Sequence, residues 1–165
     1  MHFSDVIIFG AKYLYLVIVI AALVYLLLVP KKRSSEIIVA ALIALPLTYI
    51  MAKCLSALYY DPRPFVVGNF VPLIPHAPDN GFPSDHTLLS AAVAAVIFSF
   101  EKRWGTALFV VAFLVGLSRV AAGVHHLTDI IGSMIIAAFV TYVVFWLLLP
   151  IVWRHMPRPL RNFFD

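Results

Sequence analysis

Two short segments of this chain carry side chains whose types and spacing suit one kind of chemistry. In SRVAAGVHHLTD, residues 118–129, His125 and Asp129 are four apart, a separation that puts two side chains on one face of a helix. A carboxylate one turn from an imidazole accepts a hydrogen bond from one ring nitrogen, fixes the tautomer and raises the basicity of the other. His125 so held is a candidate nucleophile or base, and Arg119 stands just upstream of it. In GFPSDHTLL, Ser84, Asp85 and His86 open an apolar run. Unpaired N–H groups at a helix start favour an anion, and His86 in the first turn can donate a proton. Arg63, held between Pro62 and Pro64, and Arg119 offer guanidinium forks that match phosphate oxygens, and Lys53 is a further cation. This inventory fits phosphoryl transfer without a metal, in which positioning and charge stabilisation do most of the work.

The rest of the chain dictates where such groups can sit. Of 165 residues, 63% are apolar and 12% charged, against about 45–50% and about 25% in a soluble domain. Mean hydropathy is +1.00. The expectation is an all-α integral membrane bundle forming one domain over residues 1–165. The single cysteine, Cys54, excludes an intrachain disulfide framework. The run 13–30 lacks a basic flank before it and a small-residue cleavage site after it, and reads as a retained span, not a cleaved leader.

Five spans are expected, at 9–29, 36–58, 84–100, 104–120 and 125–153, with a long Pro-rich loop at 59–83. Pro46 is a candidate kink in the second. The third and fourth reach the roughly 20 residues of a full crossing only if their polar ends lie at membrane depth, facing a protein interior or a water-filled pocket. Eight of the twelve basic residues fall after spans one, three and five, which makes that side cytoplasmic. The opposite, extracytoplasmic face then collects Lys53 with DPRPF, PSDH, and SRVAAGVHHLTD.

These stretches resemble the three signature motifs of the type 2 phosphatidic acid phosphatase family, over residues 53–129. The third matches in full: Ser-Arg, five residues, His, three residues, Asp. The second is Pro-Ser-Gly-His in most of the family and Pro-Ser-Asp-His here, a variant that resembles the branch acting on undecaprenyl diphosphate. The first requires a lysine seven positions before Arg63, where this chain has Ser56; Lys53 lies nearly one helical turn further back. The resemblance implies that His125 attacks phosphorus and forms a phosphohistidine, that Asp129 orients it, and that His86 protonates the leaving oxygen and then activates water. Arg63, Ser84, Arg119 and Lys53, with the backbone N–H of Asp85, would hold phosphate oxygens. It implies no metal or other cofactor, a polyprenyl diphosphate or phospholipid substrate among membrane lipids, no nucleic acid partner, and a bacterial cell membrane location. Phosphatidylglycerophosphate and phosphatidate are the alternative substrates. His2, His76, His126 and His155 read as structural, and Asp79 and Asn80 as turn formers before Gly81.

Other classes fit less well. A zinc hydrolase using His86, His125, His126 and Asp129 would need two adjacent histidines that diverge by about 100° on a helix, and no His-Glu-x-x-His is present. No nucleophile turn surrounds Ser84, as a serine protease would require. A lipid-binding or transport protein would also explain intramembrane charge.

Overall fold

The computed structural model describes residues 2–155. Within them the chain runs as α1 (Phe3–Leu28), α2 (Lys31–Leu58), a single turn α3 (Pro64–Val67), α4 (Asp85–Phe100), α5 (Lys102–Ala121) and α6 (Leu127–His155), the last wound through a wider turn at Val144–Leu148. The expected all-α membrane bundle is the observed architecture. Four helices are long and apolar enough to cross a bilayer, and the fifth apolar helix, α4, is shorter.

The boundaries move at several ends. The first helix starts at Phe3 instead of residue 9, and absorbs Asp5 and Lys12. The basic cluster Lys31, Lys32 and Arg33 forms the first turn of α2, because Pro30 supplies a fixed φ just before it and a two-residue link suffices. The last helix starts at Leu127, two residues later than its hydrophobic run suggests, because His126 is extended and serves as N-cap.

Helix α4 is the hub, packed against α1, α2, α5 and α6. Its buried Ala91, Ala92, Ala94 and Ala95 let neighbouring backbones come close, as small residues do where no hydrophobic effect drives helices together in lipid. The α4–α5 turn is tighter still: a Cβ on Gly105 would meet the Phe98 backbone at 2.2 Å. At the other end of α5, Gly123 takes φ +79 and turns the chain into the link to α6. The basic connections gather at one end of the bundle, where Arg33 donates to the Phe100 carbonyl and stacks over the Phe100 ring, and Tyr25 lies against Trp104. The motif residues gather at the other. Arg158 and Arg161, which counted toward the charge asymmetry, lie outside the described residues.

Candidate active site

At that second end a cavity of about 250 Å³ opens among α2, the 59–83 loop, the start of α4 and the α5–α6 link. Lys53, Arg63, Asp85, His86, Arg119 and His125 all line it. Residues 72 positions apart in sequence, Lys53 to His125, thus face one space.

His125 is buried at 2% exposure. Its Nδ1 lies 3.1 Å from Asp129 Oδ2, and its Nε2 lies 3.3 Å from Arg63 Nη1. A guanidinium can only donate, so the nitrogen facing it must carry the lone pair. The tautomer follows: Nδ1–H donates to Asp129, and Nε2 is bare. The contact with Asp129 is the one expected, but it does not come from a shared helix face. His125 precedes the helix; Asp129 sits in its first turn and reaches back, also accepting from the His126 N–H at 2.9 Å. A capping interaction therefore fixes the carboxylate that fixes the imidazole.

Arg63 is 5% exposed and bound on three sides. Its Nε donates to Asp79 Oδ1 at 2.7 Å, Nη1 to the Val124 carbonyl at 2.8 Å and Nη2 to the Asn80 carbonyl at 3.2 Å. Arg119, in the last turn of α5, donates from Nη1 to the Ala11 carbonyl at 3.2 Å, while its buried Nε has no partner among the described residues. An unpartnered donor on a buried guanidinium is costly unless an anion completes it. His86 packs edge-on against Tyr15 of α1, ring centroids 4.8 Å apart.

Lys53 and Asp85 pair at 3.7 Å on the exposed rim, both more than half exposed. A pair so solvated is weak and easily opened by a competing anion. Ser56 also lines the cavity. Ser84 is fully buried and is not among the lining side chains; its N–H donates to Ser133 Oγ at 2.9 Å and its Oγ accepts from Thr87 at 3.1 Å. Accepting from Thr87 leaves the Ser84 hydroxyl proton free to donate.

Three polar lining residues from the 59–83 loop were not assigned a site role from the sequence. Asp79 is the orienter of Arg63; burial opposes its charge, but the hydrogen bond and charge of Arg63 prevail and hold its carboxyl below the usual range. Asn80 ties the loop together, accepting from the Asp61 and Phe82 N–H groups and donating to the Ser56 and Tyr59 carbonyls. His76 lies against His125, ring centroids 6.1 Å apart, with its pKa lowered by burial and then by Arg63. The Asp-Asn-Gly composition reads as a turn; the chain bends at Asp79 and Asn80 makes an isolated bridge with Pro62, and this segment delivers these polar groups.

Asp61, His126 and Asp129 bring side-chain N and O atoms within 4.8 Å of one another. None of the three lines the cavity.

A second cavity, of about 310 Å³, shares Asp85 with the first and is otherwise mostly apolar, lying between α2 and α4 along Leu45, Thr48, Tyr49, Leu88 and Leu89. A third, of about 170 Å³, shares Leu45 with the second and continues among α1, α2 and α4. The sequence from polar to wholly apolar runs down the bundle from the motif end.

Residues 36–153 match the PAP2 superfamily. The chain is 36% identical over 110 residues to a protein of Bacillus licheniformis named bacitracin transport permease protein BcrC, covering 66% of this chain and 54% of that one. It is 35% identical over 91 residues to undecaprenyl-diphosphatase BcrC of Bacillus subtilis, covering 55% and 47%. The chain thus spans about half the length of these relatives. The crystal structure of Aquifex aeolicus LpxE superposes with a TM-score of 0.67 at 25% identity, covering 87% of this chain and 86% of that one.

Proposed function

The chain belongs to the PAP2 superfamily, and on that premise we propose that it is a metal-independent lipid phosphatase that hydrolyses undecaprenyl diphosphate to undecaprenyl phosphate through a phosphohistidine. The observation that carries this reading is the bare His125 Nε2, buried beside Arg63 and backed by Asp129. His125 Nε2 attacks the terminal phosphorus. The bond from phosphorus to the bridging oxygen breaks, and His86 gives that oxygen a proton as polyprenyl phosphate leaves. His86 then takes a proton from water, which attacks the phosphohistidine and releases inorganic phosphate and free His125. Asp129 accepts the Nδ1–H throughout and stabilises the charge the ring acquires. Arg63 and Arg119 bind the equatorial oxygens, with Lys53 and the Asp85 N–H completing the cradle, while the buried Ser84, tied to Ser133 and Thr87, supports the start of α4 from behind.

A membrane-embedded diphosphate with one long hydrocarbon chain also suits the row of cavities. Its headgroup occupies the polar chamber past Asp85, and its chain lies in the open groove between α2 and α4, so the lipid never leaves the bilayer. The basic residues at the opposite end support a polar chamber on the extracytoplasmic face of a bacterial cell membrane, the side on which a carrier lipid freed during cell-wall assembly would lose its terminal phosphate. The relative named undecaprenyl-diphosphatase BcrC supports this substrate.

The test is phosphate release by purified protein from a polyprenyl diphosphate in EDTA. Turnover is expected to persist in the chelator. Leu89→Trp, which fills the groove from a partly exposed position, is expected to raise KM for the long-chain substrate about tenfold, equivalent to losing roughly two buried methylenes of contact. Turnover of a short, water-soluble prenyl diphosphate should stay within about twofold. Activity lost in EDTA, or equal effects on both substrates, would overturn the respective assignment.

The pH dependence follows from His125, which lies in the link between α5 and α6. Burial, then the charges of Arg119 and Arg63, lower its pKa from 6.5 against the opposing pull of Asp129. A lowered pKa keeps the ring neutral, hence nucleophilic, below the pH where an ordinary histidine would charge. The acidic fall of kcat/KM is therefore expected below pH 6.5, measured as the lower limb of the profile.

A further inference from the structure

The first helix lies before the residues that match the superfamily, 36–153, yet it packs against both α4 and α5. Its buried face runs through Ala11, Ile18 and Ala22, and the half-buried Tyr15 falls on the same stripe, one turn after Ala11. That stripe meets the candidate site twice. Gly10 lets α1 close on α5: a Cβ there would stand 2.3 Å from Ser118 Oγ. The next carbonyl, that of Ala11, accepts from Arg119. One turn further on, Tyr15 stands against His86, with the two rings at 84° to each other.

His86 is held differently from His125. His125 is fixed at both ring nitrogens, by Asp129 and by Arg63. Among the described residues His86 makes no hydrogen bond or ion pair, and its one ring contact is Tyr15. A group that gives a proton and then takes one must keep its nitrogens uncommitted, so a hydrogen bond is a poor way to orient it. An edge-on aromatic contact restrains the plane of the imidazole and spends neither nitrogen. The Tyr15 hydroxyl likewise has no hydrogen bond among the described residues, and Tyr15 is not among the residues lining the cavity. What this side chain contributes is its ring, and it acts through His86.

We propose that Tyr15 is a positioning residue for His86, which makes α1 part of the active site. One face of α1 then orients two groups of the reaction: the Arg119 guanidinium through the Ala11 carbonyl, and the His86 imidazole through the Tyr15 ring. Proton transfer needs the donor within about 3 Å of the oxygen that leaves. An imidazole free to turn about its side-chain bonds spends little time there, and small misplacements are costly.

The inference rests on the reading of His86 as acid and base. Tyr15→Phe keeps the ring and is expected to retain kcat for a polyprenyl diphosphate within about twofold. Tyr15→Ala should lower kcat about tenfold, with KM nearly unchanged. His86→Ala is expected to keep about a hundredth to a thousandth of the parent turnover, as loss of a general acid and base does. Adding Tyr15→Ala to it should then change nothing more, because the group it positions is gone. A further loss of similar size in the His86→Ala background would make Tyr15 a packing residue of the bundle and overturn the inference. So would Tyr15→Phe falling as far as Tyr15→Ala, or Tyr15→Ala turning over like the parent. His86→Ala at parental turnover would remove the acid–base reading and this inference with it, whereas additive losses remove this inference alone.

Discussion

Alanine in place of His125 is expected to cut phosphate release by about ten-thousand-fold, the scale on which removing a covalent nucleophile acts. Nothing else lining the cavity can take its place. His86 and His76 are the other imidazoles there, and neither is the one found between an arginine donor and a buried carboxylate. The loss should appear in kcat, because Arg63 and Arg119, the residues proposed to bind the headgroup, are untouched. Rapid quenching of the unmodified protein during turnover should trap an acid-labile, base-stable phosphoryl group, absent from His125→Ala. Residual turnover within about a hundredfold of the parent would assign the nucleophile elsewhere, since that much can be lost through packing alone.

Arg119→Lys is expected to cost about a hundred- to a thousandfold in kcat/KM, as loss of a transition-state donor does. Charge alone will not rescue it. The guanidinium spends Nη1 on the Ala11 carbonyl while leaving a buried Nε free. An ammonium carries its three donors on one nitrogen, so it cannot hold the Ala11 carbonyl and also present a donor where Nε stands. Inhibition by vanadate, which mimics the pentavalent phosphorus, should weaken in proportion to kcat/KM, while KM shifts less. A change below about threefold would leave Arg119 as a tie between α5 and α1 and nothing more.

Much of this site could be foreseen because membrane spans obey strong rules. Hydropathy and the placement of Lys31, Lys32, Arg33, Lys102 and Arg103 group the polar segments at one end before any coordinates are known. Lys53 reaches the cavity because α2 runs unbroken to Leu58, so a residue one turn early still faces the same space. The details of His125 could not be read in the same way. Four-residue spacing predicts its contact with Asp129 for a helical reason, whereas an N-capping geometry produces it. Asp61, Asp79 and Asn80 were hidden for a different reason. Their partners lie 16 to 24 residues away along an irregular loop, and no periodicity links a loop residue to what it touches. Tyr15 likewise looks like any aromatic on an apolar helix until α1 is packed against the start of α4.

The shortness of α4 has a consequence for the substrate. Sixteen residues rise about 24 Å, several ångströms less than a hydrocarbon core of about 30 Å. Were α4 to cross a bilayer of that thickness, local thinning around it would draw its polar start, with His86, below the plane of the surrounding headgroups. On the proposed reading, a diphosphate would reach the imidazoles by sinking, not by being lifted, and water would have to follow it down to complete the second half of the reaction.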